Sequence, residues 1–157
     1  YVGRIAGHCV AGGMGLAAAM DLSVAVDHAK FGFTEVRLGV APAIISLTVL
    51  PRLTDRSASR YFLTGERFDA DEAARIGLVT QAVDDVWAAA DPVLDAFRAC
   101  SPQGLAETKP LLTGGLLAAF DDRAEDLAHL SARLFASDEA REGITAFLEK
   151  RPPSWAT

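Results

Sequence analysis

The sequence predicts an α/β fold, with strands gathered in its first half and helices dominating its second. Three observations carry this. The runs VGRIAG (Val2 to Gly7) and LSVAV (Leu22 to Val26) have the alternation and β-branched content of short strands. Between them, HCVAGGMGLAAAMD sets three glycines directly before an alanine-rich run, the pattern of a strand turning into a helix. From Asp85 onward the chain reads almost entirely as helix. Half of the 157 residues are hydrophobic, which is enough for one ordinary domain with a buried core and argues against disorder.

The elements follow in order. After the first strand and the glycine loop, Gly15 to Met20 has strong helix propensity. Leu22 to Val26 is a buried strand and Asp27 to Lys30 a turn. Phe31 to Val40 (FGFTEVRLGV) reads as short extended pieces around two glycines. From Ala41 the pattern becomes helical: Ile44 to Leu53 is apolar, and Ala58, Tyr61 and Phe62 sit at helical spacing within Arg56 to Leu63. DADEAARI (Asp69 to Ile76) opens with the acidic residues a helix N-terminus favours, and Gly77 stops it. Leu78 to Val83 is a further strand and Asp85 to Ala99 a helix. Ser101 caps a helix with Pro102 at its first position, and Pro110 argues for an early end to it. Leu116 to Ala136 is a long amphipathic helix. Ser137 caps a final one, Asp138 to Lys150, before Pro152 and Pro153.

Composition removes several function classes. The net charge of −6 is a poor match to general nucleic-acid binding, which depends on Lys and Arg contacts to phosphate. No uncharged apolar run reaches the roughly 18 residues of a membrane span. Cys9 and Cys100 stand far apart and outside any CxxC, so neither a disulfide framework nor a zinc site is indicated. With no basic-then-apolar leader at YVGRIAG, the reading is of a reducing, cytoplasmic setting. The sequence opens without Met inside an apolar strand, which predicts the later part of a longer chain.

The glycine loop presents bare backbone N–H groups at a helix start, where the helix dipole favours negative charge. Phosphates and oxyanions exploit such a site. The loop is neither GxxxxGK[ST] nor GxGxxG, so what remains is an oxyanion hole or a turn whose glycines only permit tight packing. Glu35 stands among Phe31, Phe33, Val36 and Leu38, where desolvation would raise its pKa and suit it to proton transfer near neutral pH. The commoner fate of a lone Glu is an ion pair, here with Arg37 or Lys30, or plain exposure. His8 beside the loop reads as packed or solvated, and Asp21 as a turn residue bonding nearby backbone. Ser46 has no GxSxG context, and His28 and His129 have no partners at metal-ligand spacing.

Taken in order, GHCVAGGMGLAAAMDLSVA, AKFGFTEVRLGVAPA, RYFLTGERFDADEAARIGLV, SPQGLAETKPLL and ASDEAREGITAFLEKR resemble one family, the enoyl-CoA hydratase/isomerase or crotonase superfamily. The resemblance spans nearly the whole chain and corresponds to about the C-terminal two thirds of the usual family chain, leaving about 100 residues upstream. It implies a crotonase-like spiral of β-β-α units, with residues 1–100 as the later part of the core. Residues 101–157 would form a helical C-terminal oligomerisation region supporting a homotrimer or dimer of trimers. It implies an acyl-CoA thioester as substrate, coenzyme A being part of that substrate, with no separate cofactor and no metal.

Carried over residue by residue, one oxyanion-hole N–H falls on Gly12, with Gly13 beside it in the substrate region. The other donor belongs to the upstream segment. Of the two catalytic carboxylates of the family's hydratases, one falls on Glu35; the other position is occupied by Gly15, where no carboxylate is present. Phe147 and Lys150 match positions lining the CoA-binding region. With one carboxylate, hydration requires Glu35 to serve twice, whereas isomerisation of a double bond needs only one shuttling base. TEVRLGVAPAIIS together with Gly15 resembles a hydratase subgroup acting on branched or glutaconyl-type acyl-CoAs, so hydratase is the favoured reading. Delta-isomerase is the alternative, and a non-catalytic acyl-CoA-binding or protein-interaction homologue is the alternative of another class. With only one oxyanion donor, residues 1–157 alone are expected to show no crotonyl-CoA hydration in a spectrophotometric assay.

Overall fold

The computed structural model describes residues 1–156. The chain alternates between two small sheets. Strands β1 (Val2–Ile5), β3 (Leu22–Val26) and β6 (Gln81–Val83) form one, in the order β1-β3-β6 and parallel throughout. Strands β2 (Cys9–Val10), β4 (Lys30–Gly32) and β5 (Phe68–Asp69) form the other, in which β2 and β4 are parallel and β4 and β5 antiparallel. Each passage from the first sheet to the second is followed by helical structure, and the next passage lays its strands beside the previous pair. That repeating β-β-α step is the spiral that the family resemblance implies.

Helix α1 (Gly12–Ala19) follows β2 and lies inside the fold, with Met14, Gly15, Ala17 and Ala18 buried. Its small residues let neighbouring elements approach closely. A short helix α2 (Ser46–Val49) packs against it, and α3 (Asp55–Thr64) and α4 (Ala70–Arg75) complete the central part. Phe31, Phe33, Met14 and Val49 are completely buried. Around them Phe33 meets Phe62 with ring centroids 4.4 Å apart, and Tyr61 meets Phe68 at 4.3 Å. Aromatic pairs of this kind contribute about 1 kcal/mol each beyond their buried area. Phe33, a member of this cluster, directly precedes the segment that carries Glu35.

Caps explain most helix starts. The Thr54, Asp69, Asp85, Ser101 and Ser137 side chains each accept a hydrogen bond from a backbone N–H in the first turn of the helix that follows. Those helices include α5 (Val86–Arg98), α6 (Pro102–Phe135) and α7 (Asp138–Leu148).

Four expectations are corrected. The helix expected at Gly15 begins at Gly12, because the glycines themselves form its first turn. Phe31 to Val40 is extended only through Gly32; Thr34–Leu38 is a 3₁₀ turn, closed by the N–H groups of Gly39 and Val40 on the Glu35 carbonyl. Of Leu78 to Val83 only Gln81–Val83 is strand, since the N–H groups of Leu78 and Val79 go to the Ala73 carbonyl instead. Finally, α6 runs through Pro110 as one 34-residue helix, about 50 Å long. Pro110 is exposed, so the Ala106 carbonyl it leaves without an intrahelical partner can face water.

The side chain of Lys109 pairs with Asp21 and ties α6 to the start of β3. Asp21 therefore holds a distant helix rather than nearby backbone. Among the described residues no helix is long and apolar enough to cross a membrane. Because Pro110 interrupts the ladder of an exposed helix, Pro110→Ala is expected to raise stability by about 1–3 kcal/mol in urea unfolding.

Candidate active site

Parallel pairing of β2 and β4 sets the geometry. Cys9 lies opposite Phe31 and Val10 opposite Gly32, and the Ala11 N–H extends the ladder to the Gly32 carbonyl at 3.3 Å. Both strands therefore end at the same edge. Gly12 comes two residues past the last pair on one strand, and Glu35 three residues past it on the other. Ligands in such sheets gather beyond the carboxyl ends of the strands.

Ala11 makes the bend between β2 and α1 with φ 49° and ψ −126°, a region L-residues avoid. Holding it there costs about 1–3 kcal/mol. Neither the Gly12 nor the Gly13 N–H has an acceptor among the described residues, and Gly12 faces open space. A Cβ on Gly13 would lie 3.3 Å from the Cys9 Sγ. The loop thus offers unpaired N–H donors at a helix start with no side chain in front of them.

Glu35 is half-buried, and its Oε2 is buried with no hydrogen-bond partner among the described residues. The ion pair expected of a lone Glu does not form: the Arg37 Nε donates instead to the Thr64 carbonyl at 3.2 Å. Burial accordingly pushes the Glu35 carboxyl above its ordinary pKa.

Gly15 is buried, and its Cα faces Ile45. A Cβ built there would lie 2.6 Å from the Ile45 Cγ2 and 3.0 Å from its Cβ. Thr48 Oγ1 donates to the Gly15 carbonyl at 3.0 Å, drawing α2 onto the same spot. Position 15 thus has no room for any side chain while Ile45 holds its place. Ile45 gave no signal in the sequence, being one apolar residue in an apolar run.

Phe147 and Lys150 lie at the outer end of α7, both exposed, with Lys150 at φ 55°. The earlier turns of α7 pack against the Glu35 turn; these two residues extend past that contact. The weaker candidates have structural partners. His8 Nδ1 accepts from the Lys30 N–H at 3.1 Å, and Ser46 Oγ donates to the Ala43 carbonyl at 2.6 Å. An apolar cleft of about 640 Å³ lies away from Gly12 and Glu35, lined by residues of α5 and α6 with Leu22 and Asp21.

The pKa of Glu35 fixes the sign of a pH effect. A carboxyl that is harder to ionise in the folded state holds its proton while the unfolded chain has already released it. Stability from this group therefore falls as pH rises from the ordinary Glu value through the folded one, and stays lower above it. Glu35→Gln removes the effect, so its stability gain over the parent in thermal melts should be larger at pH 7 than at pH 4.

Comparison with known proteins identifies the family and the fold. The sequence profile for enoyl-CoA hydratase/isomerase matches residues 1–157. A crystal structure of an enoyl-CoA hydratase from Mycobacterium avium superposes with a TM-score of 0.95 at 55% identity, covering 99% of this chain and 62% of that one. A carnitinyl-CoA hydratase from the same species has a TM-score of 0.86 at 31% identity, covering 96% and 60%. The crotonyl-CoA hydratase of Syntrophomonas wolfei is 34% identical over 153 residues, covering 96% of this chain and 59% of its own length. The chain thus spans about three fifths of the length of the relatives it matches. With the two-sheet spiral and the helices that follow it, the profile match along the whole chain shows that this protein belongs to the enoyl-CoA hydratase/isomerase family.

Proposed function

We propose that the protein is an enoyl-CoA hydratase, adding water across the 2,3 double bond of an enoyl-CoA thioester. The family acts on acyl-CoA thioesters. The observation that carries the reading is the unpartnered, buried carboxyl oxygen of Glu35, beside a strand that ends in free N–H groups.

In this reading the thioester carbonyl accepts a hydrogen bond from the Gly12 N–H. As water attacks carbon 3, negative charge gathers on that oxygen, where one such donor lowers the barrier by about 3 kcal/mol. Glu35, as carboxylate, takes a proton from the attacking water. It then delivers that proton to carbon 2 as the enolate collapses, returning to its ionised form. Its desolvated setting makes it a stronger base than an exposed Glu. Gly13 contributes to the substrate-facing backbone, and Phe147 and Lys150 contact the CoA portion. Exposed Leu111, Leu112 and Leu117 on α6 support self-association as a homotrimer or dimer of trimers, with residues 101–157 as the oligomerisation region.

A second reading is favoured by the contact between Gly15 and Ile45. With no carboxylate at position 15, Glu35 alone can shuttle a proton between two carbons, which is double-bond isomerisation.

The full-length protein, given crotonyl-, 3-enoyl- and methylglutaconyl-CoA, separates these. Water addition supports hydratase, double-bond migration supports isomerase, and tight binding without turnover overturns both in favour of a non-catalytic acyl-CoA binder. Glu35→Gln should lower kcat by about 10²–10⁴-fold while acyl-CoA still binds. Near parental rates in that variant would remove Glu35 from the chemistry.

A further inference from the structure

We propose that α7 is a positioning element for Glu35, acting through the close contact of Gly143 with the backbone of Leu38. The inference rests on the reading of Glu35 as the proton-transfer group, and it concerns what holds that group in place.

The 3₁₀ turn Thr34–Leu38 is gripped from two sides. On one side stands α7. A Cβ on Gly143 would lie 2.5 Å from the carbonyl carbon and oxygen of Leu38, so helix and turn meet backbone to backbone. One turn earlier on α7, the turn's closing residue Gly39, at φ 76°, would place a Cβ 2.7 Å from the Glu139 carbonyl and 2.9 Å from the Ala140 nitrogen. On the other side is the end of α3, where the Thr64 carbonyl accepts from the Arg37 Nε and Gly65 sits against Val36 and Arg37. Phe33, just before the turn, is locked on Phe62 of α3.

The contact reaches the Glu35 backbone directly. The Glu35 carbonyl accepts the N–H groups of both Gly39 and Val40, so Gly39, which lies against Glu139 and Ala140 of α7, is also one of the two residues that close the turn around Glu35. The Glu35 Oε2 has no hydrogen-bond partner among the described residues, and the hydrogen bond that opposes the effect of burial on the carboxyl comes from the backbone of Glu35 itself. Its place is set by the backbone that carries it, and that backbone is held between α7 and the end of α3. A rigid contact of this kind has functional consequence because a displacement of about 1 Å of a reacting group can cost on the order of 100-fold in rate.

The test is Gly143→Ala in the full-length protein. The added methyl has no flexible neighbour to displace, only the Leu38 carbonyl group. The expected result is a fall in kcat of about 10- to 100-fold with KM within about twofold, because the acyl-CoA contacts are left in place. Ala140→Gly probes the same contact by removing a buried methyl, without any clash, and decides the matter if Gly143→Ala does not fold. Arg141→Ala, on the exposed face of α7, serves as a control and should match the parent. Unchanged kcat in the folded variants overturns the proposal, as does a rise in KM alone. The outcome is separable from the assignment of Glu35: if Glu35→Gln is inactive and these variants are fully active, Glu35 stands and the positioning role falls.

Discussion

The parallel pairing of β2 with β4 is the contact on which the site depends. It is small, two residue pairs and one further hydrogen bond from Ala11. Yet it fixes which ends of the two strands lie together, and so whether a helix N-terminus and a carboxylate share one edge of the sheet. Antiparallel pairing would have put the glycine turn and Glu35 at opposite ends. Parallel neighbours need a crossover connection, which α1 and β3 supply. The interior position of α1 is therefore a condition of the site as well as a part of the core.

Close backbone approach is the means by which the fold closes around that edge. The same device recurs with different results. At Gly15 the bare Cα takes the Ile45 side chain and lets α2 pack against α1. At Gly143 it brings α7 against the turn of Glu35. Each contact is made by removing a side chain, and each substitutes stiffness for chemical variety. Helix α7 is at once a late element in sequence and a neighbour of an early one, so it braces the core.

Much of the architecture was legible in the sequence because its causes are local. Leu22–Val26 emerged with its bounds intact from β-branched content, and Ser101 with Pro102, and Ser137, marked helix starts through capping chemistry. The apolar neighbours of Glu35 in sequence pointed to a raised pKa, which burial produces, while the ion pair expected of a lone Glu is absent among the described residues. What was not legible depends on residues far apart. Nothing near Gly15 announces Ile45, nothing near Leu38 announces Gly143, and Asp21 finds its partner in Lys109, 88 positions on. Pro110 misled in the opposite direction. A proline removes one hydrogen bond and strains one turn, but a helix with 34 residues has enough remaining ladder to continue past it.

The other half-buried acids show what is unusual about this edge. Glu72 takes a hydrogen bond from Arg75 and another from the Tyr61 hydroxyl, and the Arg75 guanidinium above all holds it down at about pKa 2. Glu142 is held at about 2 chiefly by Arg151. In both places the fold supplies a cation, and ionisation favours the folded state. At Glu35 the nearby Arg37 is turned away to the Thr64 carbonyl, and burial acts unopposed by any cation. At the neighbouring strand end, Ala11 holds a backbone conformation that glycine would adopt without strain. Two departures from local satisfaction, one electrostatic and one conformational, thus stand side by side beyond paired strands. Both fit the proposed reading, in which a ligand accepts hydrogen bonds from the turn and exchanges a proton with the acid.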